Sequence, residues 1–315
     1  MEVTLNTFVY QPEPAGAGMA FEKAKYRLNG KRSNLYDISN EQFRQTVQTR
    51  VASVACVLKR DSLRKSENGD YVVISTGTSF AEGEEFRDEP EPGFGTAFAC
   101  TKRHVFTAGH VLEDEDETNV RLVFGFQKLS ADQTEYIIPK KNVYRVKKVV
   151  KQEKANGKDY ALLKLKKKGN KPDLIPLTMN FGEVVGGQKI YAVGYGEGLP
   201  VKCAYNAEIK SVKGRNPNRV DADLHTFGGN SGSPIFNELG EVIGILVAGL
   251  KDHDKDADQK LVRIWHDKKT TDAHGFEQIV KLAALDDVQE VINLKPQMKV
   301  KNLNLQKSTE LQKSR

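Results

Sequence analysis

Short apolar or alternating runs, separated by turn residues, make up most of the chain between about residues 47 and 265. An apolar side chain at every second position is typical of a β-strand with one buried face. The predicted strands form two sets: residues 51–58, 71–75, 95–100, 120–127, 143–150 and 161–165, then residues 189–193, 203–212, 233–236, 242–247 and 260–265. Two six-stranded antiparallel barrels use about this many short strands, and closure removes their exposed edges. We therefore predict an all-β fold of two six-stranded antiparallel barrels.

Helical spacing of apolar residues occurs only outside this region. Residues 276–294 place apolar side chains on one helical face, which predicts a C-terminal helix docked on the second barrel. Residues 40–47 predict a short helix before the first strand, and the Lys-, Gly- and Pro-containing residues 166–176 predict a linker. The expected organisation is an N-terminal arm or pro-segment (residues 1–45), a first barrel (46–170), a second barrel (171–270), and a C-terminal helix and tail (271–315).

Bulk composition is that of an ordinary soluble globular protein, with 38% hydrophobic and 29% charged residues in 315. No run approaches the roughly 18 apolar residues of a membrane span, so no membrane partner is expected. The first 30 residues lack a continuous apolar segment, which indicates an intracellular chain or one numbered after a removed leader. Cys56, Cys100 and Cys203 are expected to be buried or free thiols, with one disulfide plus a free thiol as the alternative.

The net charge of +6 comes from 48 basic and 42 acidic residues, and much of the excess lies in lysine-rich segments. These lysines are not interleaved with aromatic residues, so no nucleic-acid partner is expected. The acidic run at residues 113–117 lacks the ligand spacing of a calcium loop and is interpreted as a solvated loop. We expect neither a metal nor another cofactor.

The strongest chemical signal is a serine among glycines, in the sequence GGNSGSP at residues 228–234. Glycines allow a tight turn that directs successive N–H groups at one point, and an apolar strand follows at once. Ser231 is therefore the candidate nucleophile, and the N–H groups of Gly229 and Ser231 are the candidate oxyanion hole. Taken alone, the segment also fits a glycine-rich hairpin loop.

A histidine and an aspartate precede this serine in settings that suit a base and its orienting group. His110 follows small residues in the sequence TAGH, and Asp159 stands at the start of the apolar strand in DYALLKL. A single histidine beside apolar residues is more often a core residue, and a single aspartate before a strand is more often a turn residue. In the order His110, Asp159, Ser231, however, the three form a candidate catalytic triad. The other singled-out histidines, His104, His253, His266 and His274, are expected at the surface or in turns.

These motifs resemble those of the trypsin-fold serine peptidases, and most closely the bacterial glutamyl endopeptidase group. The resemblance runs from about residue 29 to residue 294 and is most specific at TAGH, at DYALLKL, and from Thr226 to Asn237. The resemblance implies the two-barrel trypsin-like fold and the catalytic roles of His110, Asp159 and Ser231, in agreement with the interpretation from the residues.

The resemblance also bears on P1, the substrate residue whose carbonyl carbon is attacked. In the resembling group, selectivity for glutamate at P1 involves a threonine five residues before the nucleophile, where this chain has Thr226. It also involves a histidine in the following strand, where this chain has Leu246. His225 or Arg263 would then have to supply the positive charge. The match around Thr226 favours an acidic P1 side chain.

The alternative is an apolar pocket lined by Leu246, Val247 and Ala248, which would discriminate against glutamate because an unpaired buried charge is costly. A preference for lysine or arginine is not expected, since His225 occupies the position of the acidic residue of trypsin-type enzymes. The sequence thus predicts a serine endopeptidase that acts on protein or peptide substrates. The alternative is a catalytically inactive binding or regulatory module of the same fold.

Overall fold

The structure, a computed structural model, describes residues 31–74, 78–166, 173–212, 216–264 and 276–289. Its strands are β1 (Lys31–Ser33), β2 (Val54–Lys59), β3 (Leu63–Lys65), β4 (Tyr71–Val73), β5 (Gly93–Ala99), β6 (His104–Thr107), β7 (Val120–Phe124), β8 (Ile137–Ile138), β9 (Val143–Glu153), β10 (Tyr160–Leu165), β11 (Lys189–Gly194), β12 (Lys202–Ser211), β13 (Arg219–Ala222), β14 (Pro234–Asn237), β15 (Val242–Ala248), β16 (His253–Lys255), β17 (Leu261–Arg263) and β18 (Glu277–Lys281). Its α-helices are α1 (Glu41–Val51) and α2 (Asp286–Gln289).

Two closed six-stranded antiparallel barrels make up the body of the structure. The first barrel closes in the order β10-β6-β5-β2-β7-β9, with β9 paired back to β10. The second closes in the order β12-β11-β14-β15-β18-β13, with β13 paired back to β12 and β1 added at the outside of β12. The predicted all-β, two-barrel fold is therefore confirmed.

Apolar side chains fill each barrel, as the alternating runs require. Phe98, Phe106 and Leu162 are fully buried in the first barrel. Ile235 and Ile279 are among the buried residues of a separate cluster in the second barrel. Burial of these side chains supplies most of the driving force for closing the two sheets.

The prediction of one helix over residues 276–294 is wrong at its beginning. Glu277–Lys281 forms β18, which lies between β13 and β15 and closes the second barrel. The apolar positions Ile279 and Val280 fit a strand as well as a helix, so pairing with two neighbouring strands decides the conformation. A short helix, α2, begins only at Asp286, and residues 290–294 lie outside the described part of the chain.

The predicted strand at residues 260–265 is also placed differently. Leu261–Arg263 forms β17, which pairs only with β16 in a two-stranded hairpin outside the barrel. In contrast, the predicted short helix at residues 40–47 is confirmed as α1. Its N-cap Asn40 accepts a hydrogen bond from the Phe43 N–H at 2.9 Å through Oδ1.

Other expectations concern residues that the structure describes only in part. The N-terminal arm up to residue 30, the tail from residue 290 and linker residues 167–172 lie outside the described residues. Cys56, Cys100 and Cys203 are all buried free thiols, so the alternative with a disulfide is not found. Among the described residues, no helix is long and apolar enough to cross a membrane, and no group of three or more metal-ligating side chains is clustered.

Candidate active site

His110 lies in a 3₁₀ turn, Gly109–Leu112, that follows β6 of the first barrel. A Cβ atom on Gly109 would lie 2.9 Å from the Glu153 carbonyl oxygen and 3.0 Å from Asp159 Oδ1. Only glycine therefore allows the turn to approach Asp159 so closely. Gln152 fixes the same turn, because its side-chain amide donates a hydrogen bond of 2.7 Å to the Gly109 carbonyl oxygen.

Asp159 stands immediately before β10 and holds His110 through both carboxylate oxygens. Oδ1 accepts a hydrogen bond from the His110 backbone N–H at 3.0 Å, and Oδ2 lies 2.8 Å from His110 Nδ1. Burial by itself would raise the pKa of Asp159, but hydrogen bonds from His110 and its charge outweigh burial and lower that pKa. The carboxylate is thus kept ionised against the imidazole.

Ser231 approaches this pair from the loop between β13 and β14 of the second barrel. Its Oγ lies 2.8 Å from His110 Nε2. The Ser231 carbonyl oxygen accepts a hydrogen bond of 2.9 Å from the Thr96 N–H of β5, which ties the serine loop to the first barrel. Asp159, His110 and Ser231 therefore form one continuous chain of hydrogen-bonding distances across the two barrels.

The backbone before Ser231 turns at Gly229, whose φ is +90°. The Gly229 carbonyl oxygen accepts a hydrogen bond of 2.9 Å from Thr96 Oγ1, and the Gly228 carbonyl oxygen accepts one of 2.5 Å from the Glu197 N–H. Within the described part of the chain, the N–H groups of Gly229 and Ser231 donate no hydrogen bond. Both are thus available to an acceptor outside the protein.

The predicted substrate-binding residues are placed in different environments. Thr226 is buried, and its Oγ1 donates a hydrogen bond of 2.5 Å to Glu277 Oε2. The His225 ring is half-buried and lies 5.1 Å, between ring centroids, from that of Phe227. Leu246 packs in the interior cluster of the second barrel, Val247 is buried in the other cluster, and Ala248 is exposed.

Arg263 does not lie on the last strand of the barrel but in the β16–β17 hairpin. Its Nη1 lies 3.2 Å from Glu85 Oε2, and its guanidinium lies 4.9 Å from the centre of the Phe227 ring. Arg32 of β1 packs on the same ring at 3.9 Å and is paired with Glu197. The positive charge of Arg263 is thus already matched by a carboxylate.

Sequence reasoning missed two carboxyl groups that hold the segment before Ser231. Glu277 accepts from Thr226, and Asp252 Oδ2 accepts a hydrogen bond of 2.5 Å from the Gly228 N–H. Burial is the largest cause that raises the pKa of Asp252 to about 6 and that of Glu277 to about 8. Neither carboxyl group lies in a motif, and only strand pairing brings Glu277 to Thr226.

The expectation for His253 is wrong, because its side chain is largely buried. Its ring stands between Phe80 and Phe227, with centroids 5.6 and 5.7 Å away, and its Nε2 lies 2.8 Å from Glu197 Oε1. His104 begins β6, and its Nδ1 lies 2.8 Å from Thr101 Oγ1 in the preceding turn. The remaining two, His266 and His274, lie outside the described residues.

Comparison with known proteins finds similarity to peptidases. Residues 95–245 match the family described as trypsin-like peptidase domain. Over 78 residues the chain is 42% identical to the glutamyl endopeptidases of Staphylococcus aureus strains MW2 and MSSA476. That alignment covers 24% of this chain, 23% of the MW2 protein and 22% of the MSSA476 protein, so it spans less than a quarter of the length of these curated relatives.

The arrangement of the two barrels is found in a solved structure as well. Human heparin binding protein aligns with a TM-score of 0.50 at 14% sequence identity, covering 84% of this chain and 96% of that one. At this identity the likeness concerns the fold alone.

Proposed function

We propose that this chain, a serine peptidase of the trypsin fold, hydrolyses peptide bonds through an acyl-enzyme on Ser231. The observation that supports this most strongly is the uninterrupted series of contacts from Asp159 through His110 to Ser231. Asp159 Oδ2 lies 2.8 Å from His110 Nδ1, and His110 Nε2 lies 2.8 Å from Ser231 Oγ. Contacts of this kind let a base take the serine proton while the serine attacks a carbonyl carbon.

In the proposed first half-reaction, Ser231 Oγ attacks the P1 carbonyl carbon and its proton passes to His110 Nε2. The carbonyl oxygen gains the negative charge, and the N–H groups of Gly229 and Ser231 donate hydrogen bonds to it. His110 then gives the proton to the departing amine, which leaves the acyl group on Ser231. Water, deprotonated by His110, releases the acid and restores the serine hydroxyl.

Asp159 acts in this scheme by holding the histidine. Its Oδ2 accepts from Nδ1–H, which leaves Nε2 without a proton and directed at Ser231, and its negative charge stabilises the imidazolium. The second bond, from the His110 backbone N–H to Oδ1, fixes the orientation of the carboxylate. Protein or peptide substrates are the partners that follow from this reaction.

The acidic P1 side chain that the resemblance favours receives less support from the contacts of the pocket residues. The Thr226 hydroxyl is engaged by the carboxyl group of Glu277. A glutamate at P1 would bring a second carboxyl group towards the first, and two carboxyl groups close together in a buried site cannot both be charged.

Labelling with a fluorophosphonate tests the proposed function. We expect the parent protein to gain one covalent adduct at Ser231, detected by intact-mass and peptide mass spectrometry, and to hydrolyse a mixed peptide library. Ser231→Ala should do neither while it keeps its thermal unfolding transition. A folded parent that neither reacts nor hydrolyses any peptide would favour the inactive binding module instead.

A further inference from the structure

Glu277 is the first residue of β18, and β18 pairs with β15 beside the serine loop. The register places Ala248 of β15 opposite Gln278, the residue next to Glu277. β15 is in turn bound to the serine loop, because the Gly232 N–H donates to the Leu246 carbonyl oxygen at 2.8 Å. The Glu277 side chain therefore belongs to the wall that faces the segment before Ser231.

The carboxyl group is directed at that segment and not at the outside of the barrel. Its Oε2 accepts from Thr226, five residues before Ser231, at 2.5 Å. This is the residue at which the resemblance placed recognition of the P1 side chain. Glu277 is thus bonded to the residue that was expected to bind the substrate.

Gly249 lies directly above the carboxyl group and is exposed. A Cβ atom at this position would come within 2.3 Å of Glu277 Oε1 and 2.5 Å of Oε2. The φ angle of Gly249 is not in the left-handed region, so the backbone conformation does not demand glycine here. The space demands it, because any side chain at Gly249 would collide with the carboxyl group of Glu277.

Glu277 also has no positive partner among the described residues. Its carboxyl group accepts hydrogen bonds only from neutral donors, the Thr226 hydroxyl and the Leu250 backbone N–H, and no lysine, arginine or histidine of the described segments forms an ion pair with it. Arg32 and Arg263, which pack on Phe227, are paired with Glu197 and Glu85. Burial without a cation is costly for a carboxylate, which is why its pKa is raised to about 8, with the charge of Asp252 adding to the effect.

We propose that Glu277 forms the base of the P1 pocket and selects substrates with lysine or arginine at P1. A cationic side chain that enters beside Thr226 and Gly249 supplies the missing charge, and the carboxyl group then ionises against it. Glutamate at P1 brings a second carboxyl group and no cation, and an apolar residue likewise leaves the Glu277 carboxyl group without a cation. This inference rests on the proposed function, because P1 is defined by attack of Ser231.

His225 occupies the position of the trypsin-type acidic residue, so sequence reasoning expected no preference for lysine or arginine. In the structure a carboxyl group reaches the same segment from another strand, 51 residues further along the chain. An acidic group is thus present beside Thr226, although it is contributed by β18 and not by the segment before Ser231.

Binding of benzamidine, a planar cation, tests the pocket without requiring catalysis. Ser231→Ala protein is heated with and without benzamidine, and the same is done for the double variants Ser231→Ala/Glu277→Gln and Ser231→Ala/Glu238→Gln. Glu238 is an exposed glutamate in a turn and serves as the matched control for loss of one carboxylate. We expect benzamidine to raise the melting temperature of Ser231→Ala and of the Glu238 control, and not that of the Glu277 variant. An equal rise in all three overturns the proposal, as does no rise in Ser231→Ala.

Kinetics provide the second test. We compare kcat/KM for peptides that differ only at P1 (Arg, Lys, Gln, Leu, Glu), with enzyme concentration set by fluorophosphonate titration. Parent enzyme should prefer arginine and lysine at P1. In Glu277→Gln, kcat/KM should fall about 100-fold for the arginine and lysine peptides and change only a few-fold for the leucine and glutamine peptides. An equal loss on all peptides overturns the proposal and assigns Glu277 a structural role. Absence of fluorophosphonate labelling contradicts the proposed function instead, and leaves the benzamidine result to decide the pocket.

Gly249→Ala keeps the proposal testable if Glu277→Gln does not fold. The substitution keeps the Glu277 carboxyl group but places the alanine methyl group against it, at a backbone angle that alanine tolerates. It should lower kcat/KM for arginine and lysine peptides and weaken benzamidine binding. Unchanged kinetics and binding in this variant overturn the placement of Glu277 in the pocket.

Discussion

The Glu197 backbone N–H donates a hydrogen bond of 2.5 Å to the Gly228 carbonyl oxygen. Because a trans peptide holds its C=O and N–H on opposite sides, this bond directs the N–H of Gly229 away from Glu197. Glu197 itself has φ of +59°, which a non-glycine residue adopts only when its surroundings hold it. Its side chain is held by an ion pair with Arg32, and its Oε1 lies 2.8 Å from His253 Nε2.

Arg32→Ala should lower both stability and activity, because it removes the cation paired with the buried Glu197 carboxylate. Breaking a buried pair from one side typically costs about 3–5 kcal/mol. We expect a decrease of this size in the free energy of unfolding, measured by urea titration, together with a lower kcat. Arg44→Ala is the control, since Arg44 pairs with Glu41 on the exposed face of α1. Equal effects of the two substitutions would show that the Arg32 contact does not support the serine loop.

Thr96→Val should lower kcat through the serine loop. Thr96 Oγ1 donates to the Gly229 carbonyl oxygen and accepts from the Tyr195 N–H at 3.0 Å, and valine has the same shape without either bond. Leaving buried polar groups unpaired costs about 1–3 kcal/mol.

Thr107→Val is the matched control, since it loses one buried bond to the Thr96 carbonyl oxygen but none to Gly229. If both substitutions lower the melting temperature equally, kcat should fall further in Thr96→Val than in Thr107→Val. The reverse order would show that the Gly229 contact is not needed for turnover.

Asp159→Asn should reduce turnover about 10⁴-fold, the loss seen when an amide in this position stabilises the wrong histidine tautomer. The protein should keep its fold, since the amide occupies the same volume. Turnover is measured with the best peptide substrate, and stability of the fold by urea titration. Asp61→Asn, at an exposed position, provides the control. A loss below tenfold with an intact fold would rule out Asp159 as the group that orients His110.

Glu277→Gln should stabilise the protein at neutral and alkaline pH. The folded-state pKa of Glu277 is about 8, above the value of 4.5 for an ordinary glutamate. The folded state therefore binds more protons than the unfolded state between these values, and stability of the parent falls as pH rises through this window. Glutamine mimics the neutral acid and does not titrate.

The difference in free energy of unfolding between Glu277→Gln and parent should thus grow from near zero below pH 4.5 to a maximum above pH 8. Urea titrations at half-unit pH steps measure it, with Glu238→Gln as the control. A constant difference over this range would show that the Glu277 carboxyl group does not titrate with a raised pKa.

The candidate triad residues could be picked out from sequence because each lies in a short motif whose local conformation is set by neighbours. Gly109 next to His110 and the glycines around Ser231 mark turns, and Asp159 precedes an apolar strand. The roles proposed for His110, Asp159 and Ser231 follow from the order of these three motifs along the chain. The structure adds the distances between them.

Strand β18 and Glu277 could not be predicted in the same way. The apolar residues of β18 fit a helical period, and only its neighbours β13 and β15 make it a strand. The hydrogen bond from Thr226 to Glu277 joins residues far apart in sequence, so no local sequence pattern predicts it. His253 was misplaced for the same reason, because Phe80 and Phe227 come to its ring from distant segments.

The two halves of the candidate site are contributed by separately closed sheets, with His110 and Asp159 on the first barrel and Ser231 on the second. During synthesis the first barrel can be complete before Ser231 has been made, and β18, the strand that closes the second barrel, comes later still. A growing or truncated chain therefore lacks the nucleophile's support until the last barrel strand is in place. Under the proposed function, peptide hydrolysis cannot begin before the last strand of the second barrel has been made.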